Sequence, residues 1–396
     1  MTVDQIYQIV NDATDQALGE SALLQEDLSN LVDVGDAVFA NIAGVDNYVK
    51  KLIDRIGRVV YTDRAYKAGI NLMKDSWEYG SILEKIRVKS LPDAQANDTW
   101  QLTPGTSYDP NVFTAPDVEV CFYNKKETYE IAMSFTEEQL KESFTSAEAM
   151  NRFISMVYIM IDNSFEVKFE EVQHRLIANA IADTVVADYS DLTTNHTTTK
   201  VVNLLYLYKQ AYPNATTTTT DMLSDPEFLR FSTYVIGMYV DRLQRMSSLF
   251  NIDGKPRFTP KAAEKLILLS NFSRAIETNL LSDAFHDDYL KLPEENRQIV
   301  PYWQGSGLSY AIDDCADIKV ATLTDPTNPS SALGDFKYIL GVLFDETACV
   351  VCNDNRRVTT NYNGRAEFVN YWYKYDINLI NAHDENFVVF CAFDVS

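Results

Sequence analysis

Residues 145–183 read TSAEAMNRFISMVYIMIDNSFEVKFEEVQHRLIANAIAD, and they lie inside a longer stretch, 117–212, that contains neither glycine nor proline. Thr145 with Glu148 matches the capping box that opens a helix. Phe153, Val157, Ile161, Phe165, Phe169 and Val172 then recur every three or four residues, while Asp162, Glu166, Glu170 and Arg175 occupy other faces. At ~1.5 Å per residue this helix would run about 55–60 Å, longer than a compact domain is wide. It is a spine to which other elements attach, more than one member of a bundle.

Toward the N-terminus, Thr136 with Gln139 is expected to cap a short helix ahead of the spine. Before that, apolar residues alternate with polar ones: Tyr129, Ile131, Met133 and Phe135, and, across Asn124-Lys125-Lys126, Val118, Val120 and Phe122. Ile82, Ile86 and Val88 mark another strand, and Pro92, Pro104, Pro110 and Pro116 fall between the two, around Trp100 and Gly105. The reading is a long strand, loop, strand excursion. A two-stranded ribbon is marginally stable alone in water, so this one must lie against something. The first 75 or so residues carry short apolar groupings (Ile6, Ile9, Val10; Leu23, Leu24, Leu28, Leu31) interrupted by Gly19, Gly35 and Gly44. They read as an arm whose apolar faces need a host.

Beyond the spine, Thr-rich stretches at 193–199 and 216–220 flank an apolar helix near Val201 to Tyr212 and read as loops. Helical spacing returns at Phe228, Phe231, Tyr234, Val235 and Met238, and a buried strand is expected at Leu266 to Leu269. The chain then turns to strands at 338–344, 357–361, 371–380 and 387–393, with Asn363-Gly364 as a hairpin-like turn.

The composition excludes several classes of function. With 57 acidic against 34 basic side chains, a net charge of −23 repels phosphate backbones, so a sequence-reading nucleic-acid binder is not expected. Nine acidic residues and no lysine or arginine precede Lys50, the opposite of an export signal. No apolar run approaches a membrane span, and five scattered cysteines (121, 315, 349, 352, 391) fit a reducing compartment, so cytoplasmic synthesis is expected.

No constellation of residues carries chemistry. Cys349-x-x-Cys352 lacks the second pair or histidines that zinc needs, and reads as core cysteines on a buried strand, with Cys391 and His383 the imaginable partners. His174, His196, His286 and His383 sit in no catalytic motif, and Gly305-Ser306-Gly307 is not a dinucleotide loop. Carboxylate pairs such as Asp313-Asp314 or Glu294-Glu295 are cheap among 57 acids. No catalytic residue, cofactor or metal is expected. Lys85, Lys89, Lys125 and Lys126, with Trp100, Tyr108 and Phe113 of the loop, are the expected assembly contacts.

The order of elements (arm, ribbon, spine helix, α/β subdomain, returning strands) resembles the major capsid protein of tailed bacteriophages, the HK97-like fold. The resemblance runs over nearly the whole chain. It is most specific at Asp75-Ser76-Trp77-Glu78-Tyr79-Gly80 leading into Ile82 to Ile86, at Met133-Ser134-Phe135-Thr136-Glu137, and at Asn361, Asn363, Glu367, Asn370, Tyr375 and Asn378. It implies an α+β fold with an N-terminal arm (1–80), an extended hairpin or E-loop (81–135), a P-domain (136–190 and 353–380) built on the spine, and an α/β A-domain (191–352 and 381–396). It implies a homo-oligomer of hexamers and pentamers in an icosahedral virion shell that encloses double-stranded DNA without reading it, and no membrane. A portal and a separate scaffolding protein are the expected partners, since no long charge-rich scaffold segment precedes the arm. An encapsulin-like compartment is the rival of the same fold, and a carboxylate-based glycan hydrolase the rival from another class.

Overall fold

The structure, a computed structural model, describes residues 83–92, 117–124, 126–136, 147–282, 297–304, 316–319, 324–325, 328–332, 335–353 and 357–393, together with isolated positions before residue 117. The caps expected at Gln139 and Thr145 lie outside these residues, as does nearly all of the arm.

The spine is α1, Ala147–Ala187, 41 residues and therefore about 60 Å long. Its buried stripe is the one the periodicity marks, Ile161, Phe165, Phe169 and Val172, continued by Leu176, Ile177, Ala180 and Ile181. Glu170, read as facing away from this stripe, is instead buried, and its Oε1 accepts the Tyr302 hydroxyl at 3.1 Å. A short helix α2, Tyr189–Asn195, follows and ends at His196 in the left-handed region.

Two sheets meet along the spine. The first has five strands: β4 (Val201–Asn203), β5 (Glu264–Leu269), β6 (Arg297–Val300), β7 (Ile339–Asp345) and β11 (Phe387–Cys391), in the order β4-β11-β7-β5-β6. All seven residues of β7 and all five of β11 are buried, as befits central strands covered on both faces. Helices α3 (Leu204–Ala211), α4 (Pro226–Leu243) and α5 (Ser270–Ser282) pack on it and on one another. The expected helix near 201–212 thus begins as a sheet-edge strand, and Asn203 makes the change of direction: its side chain caps α3 by accepting from Tyr206 N and donates to Phe393 O. Asp225 caps α4, whose first residue is Pro226. Tyr234, assigned above to the apolar stripe of α4, faces solvent, and Ile236, Tyr239, Val240 and Leu243 take the core instead.

The second sheet is organised by β10, Phe368–Asn381. One edge pairs in turn with β9 (Arg357–Asn363) and β8 (Cys349–Asn353), and the other pairs over eleven residues with β3 (Lys126–Thr136). The turn between β9 and β10 falls where Asn363-Gly364 predicts, but its positive φ lies on Glu367, and Asn363 Oδ1 accepts the Arg365 amide. The β3 pairing divides the stretch 81–135, read as one excursion, at Asn124: β3 is a sheet strand, while β1 (Leu83–Val88) and β2 (Val118–Tyr123) form a separate antiparallel ribbon. Alternation alone could not separate them, since both have period two.

Ile70 and Leu72 lie in the main core with the spine and both sheets. At these two positions the apolar residues of 1–80 find their host in the chain's own core.

Candidate assembly surface

The ribbon is built inside out. Register pairs Ile86 with Val120 and Val88 with Val118, so these four and Phe122 share one face. That face points to solvent: Ile86 is 66% exposed and Phe122 65%, with Val88, Val118, Val120 and nearby Leu91 exposed as well. The opposite face, Lys85, Arg87, Glu119, Cys121 and Tyr123, turns inward. In a strand pair serving only its own subunit, burial would favour the reverse. Exposed apolar patches of this kind mark interaction sites.

The inward face is tied to two loops of the chain. Arg87 pairs with Asp384, whose side chain is 1% exposed, and Arg257 reaches the same Oδ2 at 3.3 Å. Lys85 pairs with Glu385 and lies 3.8 Å from Asp384. Lys255 Nζ is 2.9 Å from Glu119 Oε2, and Arg87 is 3.9 Å from Asp253. Arg87 Nη2 also donates to Cys121 Sγ at 2.9 Å. Burial opposes the charge on Arg87, but Asp384 outweighs it and raises the guanidinium above its ordinary value. Tyr123 packs beside Val350, Cys352, Ile380 and Ala382, and burial first, then Asp384, pushes its phenol up to about 12.

Of the residues expected to make assembly contacts, Lys85 and Lys89 are on the ribbon, Lys89 being 3.8 Å from Asp117 and half exposed. Lys126 belongs to β3 and pairs with Asp376 at 3.0 Å. The geometry brings Lys85 into the Asp384 cluster and leaves Lys126 in another. Trp100, Tyr108, Phe113 and Lys125 lie outside the described residues. Sequence reasoning missed Arg87, Glu119, Asp253, Lys255, Arg257, Asp384 and Glu385. The signal available was the interleaving of Lys85 and Arg87 with Ile86 and Val88, which gives two faces without saying which is outward.

The candidate chemical groups are separated by the fold. Cys349 and Cys352 are buried on opposite faces of β8, one in the main core and the other in the small cluster beside Tyr123, so they cannot share a metal ion. Cys391 is buried on β11, and burial pushes the Cys349 and Cys391 thiols up to about 12. His174 stacks on Tyr302 at 4.5 Å, and burial holds its imidazole below the ordinary value against the pull of Glu170. His383 is raised by its hydrogen bond to Asp183. His286, Gly305, Gly307, Glu294, Glu295, Asp313 and Asp314 lie outside the described residues. Among the described residues no group of three or more His, Cys, Asp or Glu is arranged to hold a metal, and no helix is long and apolar enough to cross a membrane.

Residues 7–391 match the family model of the Phi29-like phage major capsid protein. The chain belongs to that family. A curated relative, the major capsid protein of Bacillus phage GA-1, is 26% identical over 178 residues, which is 42% of this capsid-family chain and 34% of the relative. The alignment thus spans about a third of that relative's length. Among solved structures, the capsid of Staphylococcus phage Andhra matches at 11% identity with a TM-score of 0.48, covering 84% of this chain and 86% of that one. The capsid of Cyanophage P-SCSP1u matches at 10% identity with a TM-score of 0.43, covering 81% and 86%.

Proposed function

We propose that this chain is the structural shell subunit of a phage head, with an HK97-like division of labour, and that the outward face of its ribbon is covered by a sister copy. The inside-out ribbon carries this reading. Five apolar side chains that could have been buried are held in water, each forgoing on the order of 1.5 kcal/mol, and a second surface recovers that term. A ribbon of one copy landing on a different patch of the next is a heterologous contact, which closes into rings and shells when the rotation permits. Many such contacts around a shell add by avidity. The net charge of −23 suits a container for DNA that must not adhere to its contents. Scaffolding protein and portal are the partners this role requires, and the virion is where it is exercised. The work is structural, not catalytic.

The test is negative-stain microscopy and light scattering of the expressed chain, with and without a scaffolding protein. Closed megadalton particles are expected from the wild type, and none from Ile86→Asp/Phe122→Asp, although that variant should keep the wild-type unfolding midpoint because both side chains are exposed. Normal particles from the double variant would overturn the reading.

A further inference from the structure

An antiparallel ribbon has two faces and can lie down on either. Here hydrophobicity favours the apolar face and loses, so another force sets the orientation. Among the described inward side chains, Tyr123 reaches an apolar cluster. The other described contacts to the body are ionic, and three of the cations, Lys85, Arg87 and Arg257, gather at Asp384.

We propose that Asp384 is the positioning residue of the ribbon: it gathers Arg87 of β1 and Arg257 of the body, and so fixes which face is presented to the neighbouring copy. The proposal rests on the reading of the outward face given above. A carboxylate as buried as Asp384 is strongly destabilised unless paired. Arg257 supplies one partner from the body at 3.3 Å. The second guanidinium comes only with the ribbon laid charged face down, since Arg87 alternates with Ile86 and Val88. Rolling the ribbon over would remove Arg87 and Lys85 from the acids together and would separate Glu119 from Lys255.

The socket is held rigid by its own hydrogen bonds. The Ile252 and Asp253 amides donate to His383 O at 3.0 and 3.2 Å, and Phe387 N donates to Phe250 O at 2.8 Å. Asn251 closes the 251–255 turn from both sides, accepting from Lys255 N and donating to Lys255 O. Asn386 Nδ2 donates to Thr259 Oγ1 at 3.1 Å. Charged groups on a supported frame position a docked element better than groups on a mobile loop. The outer pairs, Lys85–Glu385 and Glu119–Lys255, are partly open to solvent, so salt weakens them as the screening length falls from about 10 Å at 0.1 M to about 3 Å at 1 M, while the buried Arg87–Asp384 pair is screened much less. A released ribbon frays, being only two strands.

Hydrogen exchange on the full-length unassembled chain tests this. In Asp384→Asn the amides of 83–88 and 118–123 are expected to exchange roughly ten- to a hundredfold faster than in wild type at low salt, the factor set by losing hydrogen bonds to a charged group. In 1 M NaCl wild type should speed only part of the way to that rate, because the outer pairs are screened and the buried pair is not, while 126–136 keeps its protection throughout. Glu119→Lys and Lys255→Glu should each speed ribbon exchange, and the two together should restore it, which loss of packing would not do. Should Asp384→Asn fail to fold, Arg87→Gln at the ribbon's end of the same pair decides the matter, and ribbon exchange as slow as in wild type there would overturn the proposal. Ribbon protection that ignores salt, Asp384→Asn and the swap alike would overturn the proposal. Its failure is distinct from that of the shell reading: normal particles from Ile86→Asp/Phe122→Asp sink the latter and leave the exchange result standing.

Discussion

Replacing Glu264 with glutamine should remove a dependence of stability on pH that the wild type shows between acid and neutral conditions. Glu264 begins β5, is 6% exposed, and stands in register opposite Asp345 of β7, also buried, so two carboxyl groups face each other across one strand pair. Burial pushes the Glu264 carboxyl up from 4.5 to about 7; the hydrogen bond from Gln244 and the charge of Lys261 oppose this, and Asp241 and Asp345 add to it. Asp345 meanwhile accepts from the amide and hydroxyl of Thr347. The folded chain therefore holds the Glu264 proton more tightly than the unfolded chain does. Stability from this group is fully present below pH 4.5 and is lost as pH rises to about 7, a total of about 3 kcal/mol. Urea unfolding at pH 5 and pH 8.5, followed by tryptophan fluorescence to which buried Trp303 contributes, measures it. At pH 5 the variant and the wild type should be close. At pH 8.5 Glu264→Gln should be the more stable, by up to about 3 kcal/mol. An unchanged difference between them at the two pH values would show that burial of the Glu264 carboxyl does not raise its titration in the folded chain.

The Asp376 site should respond in the opposite sense. This carboxylate joins three strands, accepting from Thr128 of β3 at 2.6 Å and pairing with Lys126 of β3 and Arg357 of β9. Burial works against its ionisation, but these partners outweigh it and hold it below the usual carboxylate range, so its contribution is present at neutral pH and is lost as pH falls through the depressed value. Asp376→Asn should cost about 2 kcal/mol at neutral pH, because Lys126 and Arg357 can turn to water, and should blunt the acid loss in a pH titration of unfolding. Gly341→Ala should destabilise by about 1–3 kcal/mol in the same urea assay, since a Cβ there would stand 2.6 Å from Leu268 Cδ2 and 3.1 Å from Ile267 O in the packed central strand pair.

Much of this architecture was legible in the residues. The spine announced itself through an apolar stripe with no helix breaker, and β5, β7, β9, β10 and β11 all fall where alternation or a short apolar run places them. Three details were not legible, for physical reasons. Glu170 could be recognised as buried only once Tyr302, 132 residues away, was there to donate to it. Tyr234 lost its place in the core because the stripe of α4 passes through Ile236 and Tyr239 instead, a small rotation that helical spacing alone does not fix. The division between ribbon and sheet at Asn124 depended on whether β3 would pair with β2 or with β10, and eleven register pairs to β10 decided it.

The candidate surface divides in the same way. That residues 83–88 and 118–123 form strands with one apolar and one charged face follows from period two and nothing else. Which face meets the body does not follow from it, because the deciding group is Asp384, nearly 300 residues further along the chain. The order of side chains along a strand determines what its faces contain. Only the fold, by bringing a buried carboxylate and Arg257 to the place where the ribbon lies, determined that the charges go in and the apolar side chains stay out.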